Sequence, residues 1–123
     1  PLVENGRFRP GDLVVETVVR EYLEEVKAQG VDTLMLGCTH YPLLRDVIGA
    51  YMGPQVELVD VGGECARWVN AQLAGQDLLA PPDRQGTHRY FVSDSTGDFA
   101  SVASMFLGED VTGGVEQIDI TVY

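Results

Sequence analysis

The chain has 123 residues, of which 45% are hydrophobic and 22% are charged. These values exclude a disordered chain, and the length suits one domain or parts of two. Eight Lys and Arg residues against 19 Asp and Glu residues give a net charge of −11, spread along the chain, so nucleic acid and anionic membranes are not expected partners.

The first half of the chain alternates between helix and strand signals. A helix with apolar residues at helical spacing follows Asp12, a good N-cap residue. A strand is predicted over residues 31–36, a helix over 43–52 behind Pro42, and a second strand over 56–60. Such alternation, with nearly continuous apolar strands, predicts an α/β fold with parallel sheets and helices on both faces.

The second half is predicted to continue in the same way. Its elements are a helix over residues 62–75, a loop over 76–87, a strand over 89–92, a helix that follows the turn 93–97 and ends at Gly108, and an edge strand over 115–123. Cys65 shares the apolar face of the first of these helices with Val69 and Leu73, which predicts a packed core thiol.

Three polar residues in a row, Cys38, Thr39 and His40, follow the first strand and Gly37. Loops at the carboxyl ends of strands bind ligands in open α/β sheets, and backbone N–H groups and the start of the next helix stabilise a thiolate there. A buried structural thiol is the alternative for Cys38, and a hydrogen-bonded surface imidazole is the alternative for His40. The position favours a catalytic pair, because an imidazole this close to a thiol can hold or relay its proton near neutral pH.

A metal site is the other interpretation of the Cys-Thr-His triplet. Only His88 and Cys65 remain as nitrogen or sulfur ligands, and neither makes a zinc-like spacing with it. No glycine-rich nucleotide-binding pattern is present either. We therefore predict neither a metal nor a cofactor.

Two features predict the compartment. No apolar run approaches the roughly 20 residues that span a bilayer, and no hydrophobic leader opens the chain. Two cysteines are too few for a disulfide scaffold. We expect a soluble cytoplasmic protein whose thiols are reduced.

The segment LGCTHYPLL, residues 36–44, closely resembles the C-terminal cysteine motif of glutamate racemases, in the aspartate/glutamate racemase family. Aspartate racemases share the cysteine and the fold, but their corresponding turn lacks the His-Tyr-Pro continuation. Further segments are similar to glutamate racemases, so the resemblance covers essentially the whole chain: PLVENG at 1–6, YLEEVKAQGVDTLM at 22–35, VELVD at 56–60 and YFVSD at 90–94.

This resemblance implies a cofactor-independent enzyme that interconverts L- and D-glutamate with two cysteines, one removing the α-proton and the other delivering a proton to the opposite face. In the bacterial cytoplasm it would supply D-glutamate for peptidoglycan, and hence for cell shape. Cys38 matches the second cysteine, which acts on L-glutamate. Thr39 and His40 match substrate-binding positions, and His40 is also expected to assist proton transfer at Cys38.

The family's first cysteine and its N-terminal Asp-Ser loop have no counterpart in the chain. The resemblance therefore implies a racemase-type two-domain architecture represented only by its C-terminal half, with residues 1–61 in the second domain and 62–123 returning to the first. A start at Pro1 rather than Met fits a longer parent protein. Alone, such a chain is expected to be inactive, unless a homodimer brings two Cys38 side chains together.

Two other functions stay open from the residues. The chain could be a non-catalytic binding or assembly module that keeps the racemase fold. It could also be a cysteine hydrolase, although the sequence shows no nucleophile elbow and no residue that would orient His40.

Overall fold

The computed structural model describes residues 1–122 and divides the chain into two compact units, Pro1–Leu79 and Ala80–Tyr123. Each unit contains one two-stranded parallel sheet, so the predicted α/β class with parallel strands is confirmed. The predicted boundary between residues 61 and 62 concerns the two domains of a longer racemase and stays a prediction. Every helix within residues 1–122 is too short or too polar to span a bilayer.

The first unit has three helices and two strands. They are α1 (Leu13–Ala28), β1 (Thr33–Leu36), α2 (Arg45–Met52), β2 (Glu57–Asp60) and α3 (Val61–Gly75). β1 and β2 pair in parallel with Leu36 opposite Asp60, so both strands end at the same edge of the sheet. The predicted helix and strand positions agree with these bounds within a few residues.

The core of the first unit lies on one face of its sheet. Asp12 caps α1 by accepting hydrogen bonds from two backbone N–H groups of the first turn, and Val15 and Val19, one turn apart, are buried. They pack with Leu36 of β1 and with three residues of α2: Val47, Ile48 and Met52. The opposite face of β1 carries Met35, whose surface is 67% exposed.

Helix α3 differs from the prediction for Cys65. Asp60 caps this helix, accepting a hydrogen bond from the backbone N–H of Gly63 at 3.2 Å. None of its 15 residues is buried, and Cys65 is exposed, so the prediction of a packed core thiol is wrong for this chain. The helical pattern gave apolar positions at the spacing of one helix face, but that spacing alone does not bury them.

The second unit is a β-α-β arrangement of β3 (Tyr90–Val92), α4 (Thr96–Leu107) and β4 (Val115–Gln117), with β3 and β4 parallel. Ser95 caps α4, accepting a hydrogen bond from the Asp98 N–H, as the predicted turn required. Gly108 ends the helix in the left-handed conformation at φ 71°.

The predicted edge strand over residues 115–123 is shorter in the structure. The Asp119 carboxylate accepts hydrogen bonds from the backbone N–H and the hydroxyl of Thr121, at 2.8 and 2.6 Å. This local bonding turns the backbone away from the strand, which ends at Gln117, and starts a 3-10 turn at Ile120. Tyr123, the end of the predicted strand, lies outside the described residues.

Candidate active site

The Cys-Thr-His turn leaves β1 at the edge where the parallel strands end. Gly37 follows the strand directly, and its N–H donates to the Met35 carbonyl at 3.0 Å. The Cys38 carbonyl then accepts a hydrogen bond from the N–H of Tyr41 at 3.3 Å, which closes the turn. The turn therefore occupies the position at which open α/β sheets bind their ligands.

The segment after the turn differs from the predicted helix over residues 43–52. A 3-10 turn, Tyr41–Leu44, comes first, and α2 begins only at Arg45. Pro42 has no N–H to donate, and the His40 carbonyl accepts from Leu43 at 3.2 Å in a three-residue step. The start of α2 is thus displaced from Cys38, so the polar groups nearest the thiol belong to the turn itself.

The structure brings the two residues predicted to be catalytic together. The Sγ atom of Cys38 lies 3.9 Å from Nδ1 of His40, and the hydroxyl oxygen of Thr39 lies 3.1 Å from the same nitrogen. Cys38 is half-buried, Thr39 is exposed, and the His40 side chain is 33% exposed. The thiol is therefore only half-buried and has an imidazole nitrogen beside it.

Glu4, which no sequence pattern had indicated, completes this cluster. Its Oε1 atom lies 3.4 Å from Nε2 of His40, although 36 positions separate the two residues along the chain. A carboxylate only accepts hydrogen bonds, so it favours the histidine tautomer that carries its proton on Nε2. The lone pair of Nδ1 then faces the Thr39 hydroxyl and the Cys38 thiol.

One sequence signal could have identified Glu4. It lies in PLVENG, a segment already noted for its resemblance to glutamate racemases, but the segment contains no residue pattern typical of catalysis. Its partner becomes visible only once the chain is folded. The Glu4 contact supplies the residue orienting His40 that the sequence did not reveal.

Other groups in the described residues are not part of this cluster. Cys65 lies exposed on α3. A cleft of about 510 Å³ in the second unit is lined by residues 93–94 and 117–121, at the carboxyl ends of β3 and β4, and contains none of the predicted site residues. Within the described part of the chain, no three His, Cys, Asp or Glu side chains are grouped to hold a metal ion.

Comparison with curated proteins shows what the chain is similar to. A glutamate racemase from Geobacter metallireducens is 46% identical over 98% of this chain, and one from a Thermoanaerobacter species is 40% identical over all of it. The chain spans 43% and 45% of these proteins, less than half the length of the curated relatives it matches. No protein-family model matches the chain.

Solved structures give the same result for the fold. Glutamate racemase from Thermus thermophilus, in complex with β-chloro-D-alanine, superposes with a TM-score of 0.84 at 35% identity, over 100% of this chain and 45% of that one. Glutamate racemase from Francisella tularensis, in complex with D-glutamate, gives a TM-score of 0.82 at 28% identity, over 99% and 44%. The chain is therefore homologous to glutamate racemases, and the resemblance predicted from its sequence is confirmed.

Proposed function

We propose that this chain supplies one of the two proton-transferring halves of a glutamate racemase, with Cys38 as the acid/base group. The observation that carries the proposal is the Cys38–His40–Glu4 cluster, in a chain homologous to glutamate racemases over nearly its whole length. The D-glutamate in the Francisella tularensis racemase structure supports glutamate as the ligand class.

In the proposed reaction the Cys38 thiolate removes the α-proton of L-glutamate. The α C–H bond breaks, an S–H bond forms at Cys38, and the electron pair is delocalised into the substrate's α-carboxylate. A second thiol then protonates the opposite face of the carbanion, which gives D-glutamate. Paired thiols suit this exchange because each serves as a base when ionised and as an acid when protonated.

His40 and Glu4 prepare Cys38 for its role as a base. The Nδ1 lone pair of His40 faces Sγ at 3.9 Å and can take the thiol proton before substrate binds. Glu4, 3.4 Å from Nε2, stabilises the positive charge that His40 then acquires. Once Nδ1 carries the proton from Cys38, the exposed Thr39 hydroxyl, 3.1 Å away, can accept a hydrogen bond from it and donate its own hydrogen to a substrate carboxylate.

Exposed apolar surface in both units supports a requirement for additional polypeptide. Met35 on β1 is 67% exposed and Trp68 on α3 is 64% exposed. In the second unit, Phe91 on β3 is 48% exposed. Large apolar side chains exposed on sheets and helices mark surfaces that pack against another element, and we propose that the remaining part of a racemase-length protein covers them.

The test joins this chain to the remaining part of the Geobacter metallireducens racemase and measures exchange of the glutamate α-proton in heavy water by NMR. We expect Cys38→Ala to abolish exchange from L-glutamate. Cys65→Ala is the matched control: it removes the exposed cysteine of α3 and should leave exchange unchanged. Full exchange in the Cys38→Ala protein would refute the assignment.

The isolated 123-residue chain has one of the two proposed bases, so it should not racemise glutamate. Circular dichroism of L-glutamate incubated with the chain measures this directly. Net conversion would contradict the requirement for a second part of the protein. A specific activity that rises with the concentration of the chain would then identify a homodimer with two Cys38 residues. We further propose a cytoplasmic enzyme that supplies D-glutamate for bacterial peptidoglycan.

A further inference from the structure

Helix α1 packs in the same core as the strand that leads to Cys38. Val15 and Val19 of this helix pack in the same core cluster as Leu36, the last residue of β1. Two residues later the chain reaches Cys38. The position of the thiol is thus fixed to α1 through buried apolar contacts.

Glu4 lies in a tight turn that contacts the same unit through its neighbours. Val3 is only 5% exposed, and Leu2 packs against the core cluster. The backbone N–H of Gly6 donates to the Val3 carbonyl at 2.8 Å. These bonds fix the backbone of the turn, but the Glu4 side chain itself is exposed.

Arg7, at the C-terminal end of this turn, forms an ion pair with Asp12 at the start of α1 through two hydrogen bonds. Arg7 donates from Nε to Oδ2 of Asp12 at 2.8 Å and from a terminal nitrogen to Oδ1 at 2.7 Å. Asp12 is also the N-cap of α1, and the bonds from Arg7 hold the pKa of its carboxyl below the usual value. Such fork-shaped pairs fix orientation as well as distance, because the guanidinium and the carboxylate are both planar.

We propose that Arg7 is a positioning residue, which with Asp12 fixes the Glu4 turn to α1 and thereby holds the Glu4 carboxylate against His40. The same helix then positions both sides of the cluster, Cys38 through the core and Glu4 through the ion pair. The importance of this arrangement for catalysis rests on the proposed function. Its effect on His40 and Cys38 can be measured without any racemase activity.

The experiment uses the 123-residue chain with Cys65→Ser, so that only Cys38 reacts with iodoacetamide, and follows the alkylation rate by intact mass. Glu4→Gln, Arg7→Gln and the double variant are compared. We expect Arg7→Gln alone to slow alkylation by about two- to fivefold, the range that exposed ion-pair energies produce. In the Glu4→Gln background, Arg7→Gln should have no further effect, because Arg7 acts through Glu4.

NMR of the histidine ring nitrogens supplies a second measurement. Arg7→Gln should move the His40 signals in the direction that Glu4→Gln moves them, while His88, the other histidine, serves as an internal reference. Asp12→Asn should give the same shift while keeping an oxygen for the helix cap. Arg89→Gln removes a comparable exposed ion pair, with Glu116 in the second unit, and should change neither the rate nor the His40 signals.

Three results would overturn the proposal: unchanged His40 signals and alkylation in Arg7→Gln, effects that add fully to those of Glu4→Gln, or an equal effect of Arg89→Gln. Hydrogen exchange of the α1 amides identifies a variant that has lost its fold. If Arg7→Gln has lost its fold, the His40 signals of Asp12→Asn test the proposal instead. If Cys38→Ala leaves glutamate exchange intact in the joined protein, the proposed function fails, whereas the His40 signals still decide whether Arg7 positions Glu4.

Discussion

Met52 is buried in the first unit and Met35 is exposed, so alanine substitution at each position tests the described core directly. Met52 is 1% exposed and packs in the cluster that contains Leu36, whereas Met35 is 67% exposed on the other face of β1. Truncation of a buried methionine removes its packing and leaves a cavity, at a cost of about 2–5 kcal/mol. Met35 buries about one third of its surface, so its truncation should cost roughly 0.5–1 kcal/mol.

The measurement is the free energy of unfolding of the wild-type chain and of each variant in urea, followed by circular dichroism at 222 nm. Hydrogen exchange of the α1 amides assigns the loss to the first unit, since the chain divides into two units. Against a total stability of about 5–15 kcal/mol, the expected loss from Met52→Ala is large.

Equal losses of stability from the two variants would contradict this description of the core. They would show that Met35 is as buried as Met52 in the isolated chain, and hence that the second face of the sheet is already covered. A loss below about 1 kcal/mol from Met52→Ala would show that the α1–α2 core does not carry the stability of this unit.

Two further predictions concern backbone conformation and pH. Gly108→Ala should lower the stability of the second unit by about 1–2 kcal/mol, because φ is 71° at Gly108. Gly75→Ala, at the end of α3 where φ is not positive, should raise the stability slightly. Denaturant titration of both variants measures the two changes. The Asp12 carboxyl has a pKa below its unfolded value of about 3.9, so its stabilisation is complete above that pH and is lost as pH falls through the folded value. Arg7→Gln should reduce this loss of stability at low pH, measured by urea titrations at a series of falling pH values. An unchanged pH dependence of stability would contradict the assignment of the lowered Asp12 pKa to Arg7.

Local signals were sufficient for most of the secondary structure. Asp12 caps α1 and Ser95 caps α4 where the capping patterns indicated, because a cap depends on a side chain and the N–H groups within one turn of it. The departures occurred where a local hydrogen bond competed with the repeating pattern. Asp119 bonded to Thr121 and ended the last strand early, and the bonding around Pro42 produced a 3-10 turn before α2.

The contact between Cys38 and His40 was also predictable, for a similar reason. Cys38 and His40 are two residues apart, and a glycine between a strand and a proline-led helical segment dictates a turn that brings their side chains together. The environment of Cys65 was not predictable. The pattern on α3 gives the apolar face, but burial depends on a second element, and no described residues provide one.

Most helices and strands and the thiol–imidazole pair could thus be predicted from the sequence, since they follow from interactions over a few residues. The parallel α/β class was predictable from the alternation of helix and strand patterns along the chain. The contact of Glu4 with His40 and the ion pair of Arg7 with Asp12 became apparent only in the folded chain. The distance between Glu4 and His40 depends on how α1 packs against β1, and buried contacts between residues far apart in the chain determine that packing. The same dependence explains why one face of β1 is buried while Met35, on the other, remains exposed.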